Sequence, residues 1–221
     1  MTKSIAVRSG KGHGSMNETK NLIAYFSRKG DNYVDGNVEN LPVGNTEVAA
    51  KMIQKLTGAD IFRIATVKEY PADYDKTTEV AGQELRQNER PELSSDLDNL
   101  DRYGVIFLGY PNWWGTMPMA VCTFLEKHDL SGKTILPFCT HEGSGMGHSE
   151  SDIRKLCPRS TVQTGLSIKG GRVRGAEKAI SGWLRKSGLP PGVEHRLSHK
   201  QEMEIEGLPT RTSAKPQRGS K

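Results

Sequence analysis

Trp113 and Trp114 stand side by side in the run Tyr110-Pro111-Asn112-Trp113-Trp114-Gly115-Thr116, bracketed by a proline and a glycine. Neighbouring residues of an extended chain point to opposite sides. One indole can therefore join a core while the other is left to wall a flat aromatic ligand. The plain alternative is packing, with both rings buried or one of them in a homodimer interface. Further along, Thr140-His141-Glu142-Gly143-Ser144-Gly145-Met146-Gly147-His148-Ser149 places three glycines within five residues. Backbone without Cβ atoms can approach a ligand closely and offer N–H and C=O groups to the polar edge of a ring; the alternative is a flexible loop capped by Ser149. A third constellation joins Ser27-Arg28-Lys29-Gly30 to Val43-Gly44-Asn45-Thr46 across a long insertion. Hydroxyls, glycines and the free N–H groups of an opening helix suit a phosphate, although ordinary helix capping by Thr46 would use the same residues.

Other chemistries are less well served. Cys139, His141, His148 and Cys157 match no metal-ligand spacing, so no metal is expected. His141 beside Glu142 has no spacing that would support an acid–base pair, and no catalytic residue is nominated.

The three constellations need elements that bring them together, and the hydrophobic pattern provides them. Leu22–Phe26 is a continuous apolar run ending at Ser27, the mark of a strand buried on both faces. Val48, Ala49, Met52, Ile53 and Leu56 then recur at helical spacing between Thr46 and Gly58. Strands are expected at 60–64, 104–110, 134–140 and 161–168, with helices at 77–89, 118–127, 150–156 and 176–186. Five strands alternating with five helices predict an α/β three-layer sandwich, a parallel sheet covered on both faces by right-handed crossovers. In such sheets ligands bind beyond the carboxyl ends of the strands, where strand order reverses. The three constellations follow strands one, three and four.

Composition sets the outer bounds. The chain of 221 residues has room for one domain, at 34% hydrophobic and 26% charged. The net charge of +5 would suggest nucleic acid if it were spread along the chain, but it lies entirely in residues 1–20 and 190–221. Residues 21–189 carry equal numbers of each sign, and no nucleic-acid partner is expected. The two ends hold no Phe, Tyr or Trp and read as flexible segments, since they offer too little apolar surface to offset ordering. No run approaches the roughly 18 apolar residues of a membrane span, and residues 1–16 lack the apolar stretch of about seven residues of a secretory signal. No membrane association is expected. The three cysteines read as reduced thiols of a cytoplasmic protein.

A phosphate nest, an aromatic wall and a backbone-lined slot at one sheet edge are the three things a flavin mononucleotide needs. The segments YFSRKGDNYVDG, VGNTEVAAKMI, LTGADIF, the loop Tyr70–Tyr74, VIFLGYPNWWGTMPMAVCTFLE and PFCTHEGSGMGHSE resemble the flavodoxin-like superfamily, and closely a bacterial flavodoxin-like subfamily. The resemblance implies strand order 2-1-3-4-5 and FMN as cofactor. By position it implies Ser27, Arg28, Asn45 and Thr46 at the phosphate. It also implies Pro111, Asn112, Trp113, Trp114 and Gly115 on one side of the isoalloxazine, with Thr140, Glu142, Gly143, Ser144 and Gly145 on the other. The 18 residues between Ser27 and Thr46 depart from the compact phosphate loop of ordinary flavodoxins. Two functions are compatible: an NAD(P)H-dependent oxidoreductase acting on quinones or similar acceptors, or a one-electron carrier between redox partner proteins. Carriers of that kind dock through a strongly acidic face, which the neutral domain lacks, and this favours the oxidoreductase.

Overall fold

The computed structural model describes residues 19–191, so the flexible segments expected at the two ends fall almost wholly outside the described residues. In chain order the elements are β1 (Lys20–Phe26), β2 (Gly30–Val34), β3 (Asn37–Leu41), α1 (Asn45–Thr57), β4 (Asp60–Ile64), α2 (Tyr74–Gln87) and β5 (Tyr103–Pro111). There follow α3 (Met119–Lys127), β6 (Thr134–His141), α4 (Ser149–Leu156), β7 (Thr161–Val162), β8 (Leu166–Lys169) and α5 (Glu177–Lys186). The main sheet runs β4-β1-β5-β6-β7, with β8 also paired to β6, and every pairing in it is parallel. Taking β7 and β8 together as the fifth strand, this is the expected 2-1-3-4-5 order.

The period of two along each central strand divides the interior into two cores. Leu22, Ala24 and Phe26 of β1 join Ile106, Leu108 and Tyr110 of β5 beneath α3 and α4. Ile23 and Tyr25 join Phe107, Leu136 and Phe138 beneath α1 and α5 on the other face. Burying a large apolar side chain of this kind contributes about 1.5–3 kcal/mol, so continuous apolar runs in β1 and β5 commit both strands to the middle of the sheet.

One expectation is corrected, and the long insertion gains structure. The insertion between Ser27 and Gly44 is not loop throughout: residues 30–41 fold as the antiparallel hairpin β2–β3, with Gly30 opposite Leu41 and Val34 opposite Asn37. The strand expected at 161–168 is broken in two, and Pro137 is the physical reason. β6 pairs outward with β7 at Thr134 and Ile135 and with β8 from Phe138 onward. Pro137 lies between these pairings with its carbonyl toward Gly165. A proline has no N–H to give to a ladder, so the outer strand leaves β6 there, and the Trp183 indole of α5 donates to Thr164 O (3.0 Å) across the gap.

Boundaries moved as well. α2 begins at Tyr74 because the Asp73 carboxylate caps it, accepting from Lys76 N at 2.9 Å. The N-cap of α1 is Gly44, with no side-chain cap of its own.

Candidate functional site

The carboxyl ends of β1, β5 and β6 open into one cavity of about 580 Å³, at the switch point where strand order reverses. Its first wall is the start of α1. Gly44 is buried so tightly that a Cβ on it would lie 2.3 Å from Ser27 Oγ and 2.4 Å from Arg28 O. Only glycine lets the helix begin against the end of β1. Ser27 Oγ accepts from Glu47 N at 3.1 Å, doing from β1 the capping that Gly44 cannot. Thr46 Oγ1 is buried and bonded to Thr140 Oγ1 at 2.7 Å, which ties α1 to the end of β6. The N–H groups of Asn45 and Thr46 lie in the first helical turn, where no intrahelical acceptor exists, and both residues line the cavity. The positive end of the helix dipole is there.

Arg28 lines the cavity, but its guanidinium is occupied. Nε and Nη2 donate to Pro71 O (3.0 and 2.8 Å), Nη2 also to the carbonyls of Ala72 and Asp73, and Nη1 to Asp31 O. Burial lowers its pKa from the ordinary arginine value. Five carbonyl contacts make Arg28 the clasp between the end of β1, the hairpin and the loop leading into α2.

The second wall is the turn after β5. Trp113 and Thr116 exchange both backbone hydrogen bonds (2.9 and 3.1 Å), and Trp114 and Gly115 between them have φ of 55° and 84°. This is a two-residue turn with both central residues left-handed. A tryptophan at its first central position carries a steric cost of about 1–2 kcal/mol. The two indoles separate as their types suggest. Trp113 packs edge-on against Tyr70 (5.0 Å) and Phe26 (5.4 Å), held from the core side. Trp114 is 59% exposed, and its Nε1 donates to Thr78 O at 3.0 Å, laying the ring along α2. The alternation comes from the turn, not from extended chain.

The loop after β6 was expected to face this turn across a ring, with Gly115 and Gly145 lining opposite sides. The structure instead zips the two loops together. Asn112 accepts from Gly115 N (3.0 Å) and donates to Gly145 O (2.9 Å), and His148 N donates to Gly115 O (2.8 Å). Gly147 sits so close that a Cβ would be 2.0 Å from Gly115 O. Gly115 and Gly145 are therefore seam residues outside the cavity lining, whereas Pro111, Asn112, Trp113, Trp114, Thr140, Glu142, Gly143 and Ser144 line it. The Glu142 carboxylate accepts from Asp35 N (3.1 Å) and Gly171 N (2.9 Å), latching the tip of the hairpin and the 170–175 turn to β6.

A third wall was not assigned from the sequence: Asn32 and Tyr33 from the hairpin, Tyr74, Thr77, Thr78 and Ala81 from α2, and Gly170, joined by His141 of the loop after β6. The hairpin reaches the cavity because Asp31 N donates to Ala72 O (3.0 Å) and Lys169 pairs with Asp35 (2.8 Å). Tyr33 stacks on Tyr74 at 6.1 Å between centroids. The signal for this wall was the tyrosine in YVDG, but nothing local says which way an insertion folds back. His141 Nδ1 accepts from Gly143 N at 2.9 Å, which leaves the neutral ring's proton on Nε2; burial lowers its pKa below the usual histidine value.

The cysteines take no part. All three are buried, and burial pushes Cys139 up to about 12. Among the described residues no group of three His, Cys, Asp or Glu could hold a metal ion, and no helix is long and apolar enough to cross a membrane.

A doubly wound sheet with a helix N-terminus and an aromatic turn sharing one cavity defines a nucleotide-site α/β protein of the flavodoxin type. The chain belongs to the flavodoxin family, whose model matches residues 20–187. Its sequence is 32% identical to a protein of Bacteroides eggerthii DSM 20697 described as a flavoprotein, over 76% of this chain and 96% of that one, with a TM-score of 0.62. A second such protein, from Bacteroides uniformis ATCC 8492, is 26% identical over 75% of this chain and 97% of its own (TM-score 0.60). The fold is shared with a flavoprotein of Lactobacillus acidophilus NCFM solved in complex with FMN, at 20% identity over 71% of this chain and 97% of that one (TM-score 0.53). No curated protein matches the sequence.

Proposed function

We propose that the protein binds FMN in this cavity and acts as a reduced-nicotinamide-dependent oxidoreductase on quinones or similar acceptors. The observation that carries the reading is the pairing, in one cavity, of the unshared N–H groups at the start of α1 with the Trp113–Trp114 turn. Those donors suit a phosphate, and the indoles suit a flat tricyclic ring. FMN, which is in complex with the Lactobacillus acidophilus neighbour, contains both. When bound, FMN supplies the redox chemistry, accepting and donating one or two electrons.

The chain's own residues do the rest. Asn45, Thr46 and Ser27 would hold the phosphate through backbone N–H groups and a hydroxyl. Arg28 would act indirectly, by fixing the loop that carries Tyr74. Trp113, braced by Phe26 and Tyr70, would give the ring a rigid surface, and Trp114, laid along α2, would border it. Glu142 would hold the tip of the hairpin and the 170–175 turn in place beside β6. An oxidoreductase is favoured over a carrier because the hairpin and α2 wall the cavity, and because residues 21–189 carry no net charge for steering a protein partner.

The test is turnover without a partner. FMN-loaded protein should oxidise NADPH continuously with a naphthoquinone as acceptor. Reduction that stops after one equivalent, and resumes only when an electron-transfer protein is added, would give the function to the carrier.

A further inference from the structure

Tyr33 and Tyr74 come from different elements, the hairpin and the first residue of α2, yet they stack at 6.1 Å with planes 29° apart, and both line the cavity. Tyr33 keeps 44% of its surface exposed, and neither hydroxyl has a hydrogen-bond partner among the described residues. The pair does not hold the fold together. The hairpin is secured by Arg28 on the carbonyls of residues 71–73, by Asp31 N on Ala72 O and by Asp35 with Glu142 and Lys169. An aromatic stack with free hydroxyl donors, held in place by other residues, is a surface for a ligand.

The charges around it narrow the ligand. Arg28 spends its donors on carbonyls, and each Glu142 oxygen accepts a backbone N–H, though both groups keep their charge. Asp73 and Asp75, on either side of Tyr74, are exposed carboxylates, and with Glu142 and Asp31 they outnumber the nearby cations Arg28 and Lys76, a balance that disfavours an anion. Burial, with Tyr33 and Asp75, raises the Tyr74 pKa above the usual tyrosine value against the opposing charge of Arg28, so its hydroxyl, a donor at neutral pH in any case, stays protonated into more alkaline solution. We infer that the Tyr33–Tyr74 stack is the binding surface for the electron acceptor, and that it selects a flat, uncharged ring bearing carbonyl oxygens over an anionic one. The ring would extend the stack, and its carbonyls would accept from the tyrosine hydroxyls. This rests on the oxidoreductase reading above and names the site at which the acceptor would bind.

Equilibrium dialysis of an oxidised naphthoquinone against the FMN-loaded full chain reads the site without turnover. Tyr33→Ala should weaken quinone binding about 2- to 12-fold, the equivalent of one aromatic contact. With FMN held at saturation so that any effect on the flavin is separated from quinone uptake, the melting temperature should stay within about 3 °C of the parent. Tyr33→Phe, which keeps the ring, should retain more than half of that lost affinity. The sulfonated naphthoquinone should bind more weakly than the uncharged one. Equal quinone affinity in wild type and Tyr33→Ala, or tighter binding of the sulfonate, overturns the inference and leaves FMN binding standing. Failure of the wild type to take up FMN would instead overturn the functional reading, and this inference with it.

Discussion

Two atoms' worth of space at Gly44 decide whether the phosphate end forms. A methyl group there would overlap both Ser27 Oγ and the Arg28 carbonyl, and the carbonyl cannot rotate aside. Gly44→Ala should therefore cost about 1–3 kcal/mol in urea denaturation and weaken FMN as the start of α1 is pushed away from β1; unchanged stability would mean the close approach is not real. His141 gives a pH signature. Its folded-state pKa lies below the usual value of about 6.5. As pH falls through that value the unfolded chain takes up the proton first, and the folded state loses relative stability. The wild type should thus weaken against His141→Gln between pH 7.5 and 5.5, and parallel denaturation midpoints for the two would contradict this. At this scale the sequence was legible where residue type limits chemistry: Ser27, Thr46 and the tryptophans were found at the cavity. The employment of Arg28 and Glu142 was not legible. Their partners are backbone groups 43 and 107 residues distant in the chain, Pro71 and Asp35, and backbone partners leave no mark in composition.

At the level of elements, the turn after β5 separates two neighbouring tryptophans into different roles, and substitutions should separate them too. Trp113 is braced by two rings, so Trp113→Ala should cost on the order of 3 kcal/mol. Trp114→Gly removes a side chain from a left-handed position, which offsets the lost hydrogen bond to Thr78 O. Its stability should stay within about 1 kcal/mol of the parent while FMN affinity falls about 2- to 12-fold. A fall in stability for Trp114→Gly as large as for Trp113→Ala would show that both indoles are core. The apolar runs of β1 and β5 and the helical spacing of α1 were readable because a buried strand and an amphipathic helix each impose a period. The hairpin was not, since GDNYV and NVENL have too few apolar residues to announce a strand, and their pairing depends on a clasp supplied from elsewhere. The break between β7 and β8 could have been read from Pro137, but only by knowing that β6 lies inside the sheet.

For the whole molecule, the described residues 19–191 contain two cores and a walled cavity. That segment alone should melt within about 3 °C of the full chain, and a larger drop would show that the flanking segments add structure of their own. The alternation of strands and helices made the architecture legible, because only a parallel sheet covered on both faces buries five such strands. The shape of the cavity was less so. Zipping of the two loops leaves α2 and the hairpin to supply the third wall, and that contact is made by Asn112 and three backbone groups. The central claim is that the start of α1 and the tryptophan turn together hold FMN. Titrating the purified full chain with FMN and with riboflavin, followed by quenching of flavin fluorescence, tests it most directly. The account predicts an FMN dissociation constant below about 1 µM and at least roughly tenfold weaker binding of riboflavin, which lacks the phosphate. Equal affinity for the two flavins, or binding of neither, would contradict it.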